Sequence, residues 1–193
     1  MNRAVTFKLK NGKIVVIRRL CNTDYEAVKE YYTEFNKGPG AKMVFEYPGA
    51  PMETKEYLVQ KWENKNNLCI AAFDGNKIVG CAQICKIMPD NPYSGRNAIT
   101  GMTMLEKYTS NGLGTKFGAF IEKWARENNV HKLSAETFHK NVRSIGNLLK
   151  QGYEFVGILH DVAFIEGEWY HQYNFEKILE TELPKIEKNK KDS

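Results

Sequence analysis

The chain has 193 residues, with 28 Lys and Arg against 23 Asp and Glu, a formal net charge of +5 and 42% hydrophobic residues. That is one domain of ordinary globular composition, which argues against a disordered chain, a collagen-like chain and a disulfide mini-protein. The mild positive charge suits an anionic small ligand as well as a nucleic acid and does not separate them. The longest apolar run, Leu68 to Phe73, is far short of a bilayer span, and Met1-Asn2-Arg3-Ala4-Val5 lacks the apolar stretch of a signal peptide. Four cysteines (Cys21, Cys69, Cys81 and Cys85) make no disulfide framework. The expectation is a soluble cytoplasmic protein with reduced thiols and with neither membrane nor nucleic acid as partner.

Asn11-Gly12, between residues 4–10 and 13–18, predicts a β-hairpin. Thr23 with Glu26 three residues on reads as a capping box. It opens a helix through Val28, Tyr31, Tyr32 and Phe35 that stops at Lys37-Gly38-Pro39-Gly40. Residues 38–52 carry three Pro and three Gly and read as a long loop. A second helix is expected from Glu53 to about Asn64, then a hairpin of Leu68–Phe73 and Lys77–Met88 around Asp74-Gly75. Residues 89–97 form a second loop before the strand Ala98–Leu105. Leu113, Phe117, Phe120, Ile121 and Trp124 mark an amphipathic helix. A strand at Lys132–Thr137, a helix at Val142–Gln151 closed by Gly152, and a hairpin of Tyr153–Ile165 and Glu168–Phe175 complete the order ββ-α-α-ββ-β-α-β-α-ββ. This is one mixed α/β domain (mixed α+β) over residues 1–180, built around a central sheet. Residues 181–193 read as a flexible basic tail.

The most informative segment runs from Met102 to Phe117. A strand enters a turn containing Gly112 and Gly114, and the turn enters the N-terminus of the best helix in the chain. Helix N-termini leave unpaired N–H groups and carry partial positive charge, and glycine lets backbone approach a phosphate closely. Together these make an anion site. The segment matches neither G-x-x-x-x-G-K-[ST] nor G-x-G-x-x-G, which disfavours a Walker loop and a dinucleotide fold. An ordinary left-handed turn at a strand–helix junction is the competing reading.

Some thirty residues on, the chain reads Glu136-Thr-Phe-His-Lys-Asn141-Val-Arg-Ser144, then Leu148-Leu-Lys-Gln-Gly152-Tyr153. The pair of segments resembles the GNAT superfamily of N-acetyltransferases. Thr109-Ser110-Asn111-Gly112-Leu113-Gly114 looks like its R/Q-x-x-G-x-G/A turn. Asn141 and Gly152-Tyr153 stand where the family has Asn and Gly-Phe. Asn141-x-x-Ser144 before Lys150-Gln-Gly152-Tyr153 is similar to the ribosomal-protein N-terminal acetyltransferase branch. Ile17-Arg18-Arg19-Leu20 and Thr23-Asp24 fit the family's opening strand and helix, and the likeness covers roughly residues 13–176. Two positions depart from the pattern. Thr109 replaces Arg or Gln, and Leu148 stands where many members carry the tyrosine that protonates the departing thiolate.

The resemblance implies a single-domain fold with a mostly antiparallel sheet, splayed at the cofactor site, and helices on both faces. It implies acetyl-CoA as donor, with its diphosphate on the N–H groups of Asn111 to Thr115 and Lys107, Lys116 or Arg143 near its other phosphate. Met102-Thr103-Met104 would pair with the pantetheine arm and offer N–H groups to an oxyanion, and Asn141 would hydrogen-bond the arm. Direct transfer needs a neutral amine, so a carboxylate must take a proton. Glu136, five residues before Asn141, matches the family's proton acceptor and lies on a strand expected to be covered on both faces, where burial favours the neutral acid. Ser144 is the candidate acid.

The remaining signals are weaker. Cys81 and Cys85 share a strand face and read as core thiols; His131, His139, His160 and His171 read as scattered, so no metal is expected. Carboxylates and aromatics in the two loops (Phe45, Glu46, Tyr47, Glu53, Glu56; Asp90, Asn91, Tyr93) suit a cationic acceptor. The Trp169-Tyr170 and Tyr173–Phe175 stripe reads as core or as the face of a homodimer. The expected activity is acetyl-CoA-dependent acetylation of a primary amine, with a small molecule favoured. A protein N-terminus and a catalytically silent acyl-CoA-binding sensor are the alternatives.

Overall fold

The computed structural model describes residues 4–45 and 51–179. Among them, eight strands form one sheet. In chain order they are β1 (Val5–Lys8), β2 (Ile14–Arg19), β3 (Asn67–Asp74), β4 (Lys77–Lys86), β5 (Asn97–Met104), β6 (Lys132–Phe138), β7 (Glu154–Ile165) and β8 (Glu168–Ile178). The helices are α1 (Tyr25–Phe35), α2 (Lys55–Glu63), α3 (Leu113–Glu127) and α4 (Val142–Lys150). The strand order is β1-β2-β3-β4-β5-β6-β8-β7, and every neighbouring pair is antiparallel except β5 with β6. The expected 181–193 tail lies outside the described residues.

Alternation along the strands assigns the two faces. A Cβ on Gly80 would meet Phe117 of α3 and Met104, so even-numbered residues of β4 and β5 face α3. Odd-numbered residues face α1, where the Tyr31 hydroxyl donates to Thr103 Oγ1 at 2.9 Å. The core runs continuously from Val15 and Ile17 through Ile70, Ile84, Phe117 and Ile121 to Leu133 and Phe175. Lys177 of β8 ties the far side together, donating to Glu122 of α3 and to the carbonyl of Gln151 after α4, both at 2.6 Å.

Local chemistry follows the expected turns with one correction. Gly12 and Gly75 take the positive φ (+87° and +62°) that their hairpins require, and Thr54 caps α2 by accepting from the Tyr57 amide. The entrance to α1 is built by Asp24, not by the Thr23–Glu26 box. A 3-10 turn over Asn22–Asp24 precedes the helix. The buried Asp24 carboxylate accepts from the Cys21 amide at 2.9 Å and from both terminal nitrogens of Arg18 at 2.7 Å. Burial pushes this carboxyl up, but the Arg18 and Cys21 hydrogen bonds outweigh it and hold it below the usual aspartate range. In the first long loop, Pro39–Met43 forms a 3-10 turn.

Candidate active site

Among the described residues the β5–β6 pair is the only parallel one, and it is short. Asn97–Thr100 pair with Lys132–Ala135, and there the ladder ends. Both strands continue, β5 bonded to β4 as far as Met104 and β6 bonded to β8 as far as Phe138. The sheet therefore opens between Gly101–Met104 and Glu136–Phe138. The Leu105 amide donates to Val79 on β4, so the register aims the amides of residues 101 and 103 at β4 and those of Met102 and Met104 into the opening. The His139 amide donates to His171 on β8, and the same alternation aims the Glu136 amide into the opening from the other bank.

At the end of β5 the chain turns into α3. Gly112 is left-handed (φ +89°) at the N-cap, and Ser110 is also left-handed (φ +58°). Successive N–H groups around such residues form an anion-binding concavity facing the helix N-terminus. Asn111 braces the turn, its amide donating to the Thr109 carbonyl and its own carbonyl accepting from the Lys10 amide. The β1–β2 hairpin thus seats Phe7 and Lys10 beside Gly112. Lys116 lies over the rings of Phe7 and Phe120, and Lys107 lies over Tyr108. Arg143 reaches the turn from α4, donating to Thr109 Oγ1 at 3.1 Å and pairing with Glu106 at 2.6 Å. A guanidinium from another helix stands at the position where Thr109 supplies none.

The second motif lands on the same opening. Asn141 caps α4, accepting from the Ser144 amide at 3.2 Å, and its side chain also donates to the Met43 carbonyl at 3.4 Å. Ser144 and Leu148 are one turn apart on one side of α4. Leu148 is buried and, as a leucine, offers no hydroxyl at its position. Asn147, which the sequence reading missed, donates to Met102 Sδ at 3.6 Å and lies against Gly114, joining α4 to the turn.

Glu136 requires a correction. It is the first residue of β6 past the parallel ladder, but it is exposed, and its carboxylate accepts from Gln172 Nε2 at 2.8 Å. The helices explain this. On its face, α1 packs chiefly against β4 and α2 chiefly against β3, rather than against β6 or β8. A cavity of about 230 Å³ lies there instead, lined by Ile99, Ser134, Glu136, Asn174 and Glu176 among others.

The two loops separate. The described part of the first reaches the open end of the sheet, with Phe45 against Phe138 (ring centroids 4.5 Å); Glu46 and Tyr47 lie outside the described residues. The second joins β4 to the N-terminal end of β5, roughly 13 Å along the strand from Gly101. There Asn91 accepts from the Tyr93 and Ser94 amides. Asp90, Asn91 and Tyr93 are therefore not at the opening. The histidines also differ from expectation. His139, His160 and His171 gather at the β7 bulge, with centroid separations of 4.7 and 5.1 Å. Among the described residues no group of His, Cys, Asp and Glu is placed to hold a metal ion, and no helix is long and apolar enough to cross a membrane. Cys69 and Cys81 are buried free thiols, and burial pushes Cys69 up to about 12.

Comparison with curated proteins gives no match. Solved structures give many. An acetyltransferase of the GNAT family from Streptococcus pneumoniae superposes with a TM-score of 0.77 at 18% identity, over 86% of this chain and 99% of that one. A ribosomal-protein-alanine N-acetyltransferase from Brucella melitensis gives 0.69 at 24%, over 84% and 99%. YncA of Salmonella typhimurium, solved with its cofactor acetyl-CoA, gives 0.71 at 15%, over 86% and 94%. The Acetyltransferase (GNAT) family matches residues 26–153, two thirds of the sequence and the whole stretch from α1 to the end of α4, and the chain belongs to that family.

Proposed function

We propose that the chain transfers an acetyl group from acetyl-CoA to a primary amine by direct transfer within a ternary complex, and that the amine belongs to a small molecule. The observation that carries the reading is the end of the β5–β6 ladder at Thr100 and Ala135, beside the glycine turn. The residues fit the cofactor. The Met102 and Met104 amides face the opening with no strand to bond, as an extended arm requires, and the N–H groups of Asn111 to Thr115 are offered to a diphosphate. When bound, acetyl-CoA supplies an activated acetyl carbon and a thiol leaving group.

The chain's own residues supply the rest. Glu136 takes a proton from the acceptor ammonium, and its exposure suits an acid that must return that proton to water. Ser144, on the inner side of α4, is the candidate donor to the leaving sulfur. Arg143 adds a positive charge at the turn, and Asn141 and Asn147 line the arm. Acetyl-CoA should raise the melting temperature by mass action, and ATP and NAD at equal concentration should do much less. Equal shifts from all three would leave only a generic anion site.

We also propose that the protein works as a homodimer through β7. This edge strand is apolar and exposed on both faces, with Val156 53%, Leu159 53% and Phe164 60% exposed and Trp169 of β8 beside them. Tyr170 and Phe175 are core instead. Lysine at Val156 and Phe164 should turn a dimer into a monomer in light scattering. A parent that is already monomeric at tens of micromolar would remove the proposal.

A further inference from the structure

The α1-side face of the opening contains a slot that the sequence reading did not anticipate. Parallel partners point to the same face, and Ile99 and Ser134, which both line the cavity, show which one. Continuing the register past Thr100 and Ala135 sets Gly101 opposite Glu136 and Thr103 opposite Phe138. Gly101 has no side chain to fill the space beside Glu136. A Cβ built on it would meet only Gln83 Nε2, at 3.8 Å. Gln83 is the residue of β4 paired with Gly101 and faces the same way. The slot is therefore floored by glycine and bordered by a carboxylate, a primary amide and the Thr103 hydroxyl.

Thr103 is fixed from behind. Tyr31 is almost wholly buried in α1, and its hydroxyl donates to Thr103 Oγ1 at 2.9 Å. Burial also pushes the Tyr31 phenol well above its usual range, so it stays a donor. Having accepted that bond, Thr103 Oγ1 keeps one lone pair and its own proton for other partners.

We propose that the acceptor ammonium is seated on Gly101, two of its N–H groups directed to Glu136 and Thr103 Oγ1, and that Tyr31 is a positioning residue acting through Thr103. This rests on the acetyl-transfer reading and specifies its acceptor. Glu136 takes the first proton, and the neutral amine turns about its carbon–nitrogen bond so that the lone pair, first aimed at Glu136, faces the acetyl carbon. Turned to react, a primary amine keeps one N–H on each of the two acceptors; a secondary amine keeps only one and is a poorer substrate, and a tertiary amine has no proton to lose after attack. As the carbon–nitrogen bond forms and the carbon–sulfur bond breaks, its electron pair leaves with sulfur. The second proton lost from nitrogen ends on that sulfur, giving the amide and the free thiol.

The test fills the slot. Gly101 has no positive φ, and the space above it accommodates a Cβ, so Gly101→Ala should fold with unchanged melting temperature; Gly101→Val, β-branched on a strand, should also fold, and both should bind acetyl-CoA as the parent does. With benzylamine, spermidine and an alanine-initiated peptide as probes, Gly101→Val should lower kcat/KM for every acetylated amine by roughly thirtyfold or more, the scale of losing a hydrogen bond to a charged group. Tyr31→Phe and Thr103→Val should each raise the acceptor KM with the acetyl-CoA KM unchanged, and Thr103→Ser should restore it. Gly101→Val acting like the parent would overturn the seat. So would a parent that binds acetyl-CoA yet acetylates none of the probes. A parent that does not bind acetyl-CoA would instead defeat the acetyl-transfer reading itself.

Discussion

The two banks of the opening are made from different materials. The β5 bank is backbone: the amides of Met102 and Met104, the left-handed turn at Ser110 and Gly112, and the N-terminus of a fifteen-residue helix. The β6 bank is side chain: an exposed glutamate held by Gln172, with a glycine-floored slot beside it. A backbone site is set by φ, ψ and strand pairing, and it binds whatever extended, phosphorylated arm fits. A side-chain site is set by which residue stands at one register position, and it can change its acceptor without altering the fold. In the proposed function the first bank carries cofactor affinity, and the second carries chemistry and choice of amine.

Substitutions should separate the banks by which constant moves. Glu136→Gln keeps shape and removes the proton acceptor, so turnover should fall about a hundredfold with acetyl-CoA affinity unchanged. An aniline or hydrazine, already neutral, should be much less affected, and equal losses for both acceptors would make Glu136 merely structural. Asp24→Asn touches neither bank and should act on stability alone. Losing the Arg18 pair should cost about 2 kcal/mol in denaturant melts near pH 7, a value kept modest because Arg18 is partly exposed to solvent. The sign with pH follows from the lowered carboxyl. The pair's contribution is complete above the ordinary aspartate range and is lost as pH falls through the folded-state value, so the acid limb of the parent's stability curve should be steeper than the variant's. Gly112→Asp places a negative charge where phosphate must approach and should weaken acetyl-CoA about tenfold, or about 1.4 kcal/mol, by calorimetry. Gly112→Asn, of nearly the same shape, separates charge from backbone strain and should lose less. The smallest effect is expected from Arg143→Ala, about threefold weaker acetyl-CoA binding, because the guanidinium is shared with Glu106 and exposed to screening salt.

The same division explains what was legible in the sequence. The turn could be read because Gly112 and Gly114 announce backbone geometry directly, and Asn141 because a cap is a local event. Glu136 was located by its spacing, but its exposure was not foreseen, because it depends on how far α1 and α2 extend across the sheet. β3 and β7 make the point physically. Both are rich in apolar residues, yet β3 is buried from Leu68 to Phe73 while β7 lies at the edge with Phe155, Ile158 and Leu159 exposed. Composition along a strand does not record its place in the strand order, which is fixed by pairings between distant segments. The histidine cluster was missed for the same reason, since it forms only where β6, β7 and β8 meet. Gly101 did leave a signal, a glycine inside a strand, which marks a close approach or an open space on that face.

The most direct test of the account is release of free thiol from acetyl-CoA, measured together with acetylation of the amine. The account predicts thiol release that depends on a primary amine, matches the acetylated amine one for one, and falls about a hundredfold in Glu136→Gln. Thiol release that is independent of the amine, or none from a protein that binds acetyl-CoA tightly, would contradict it.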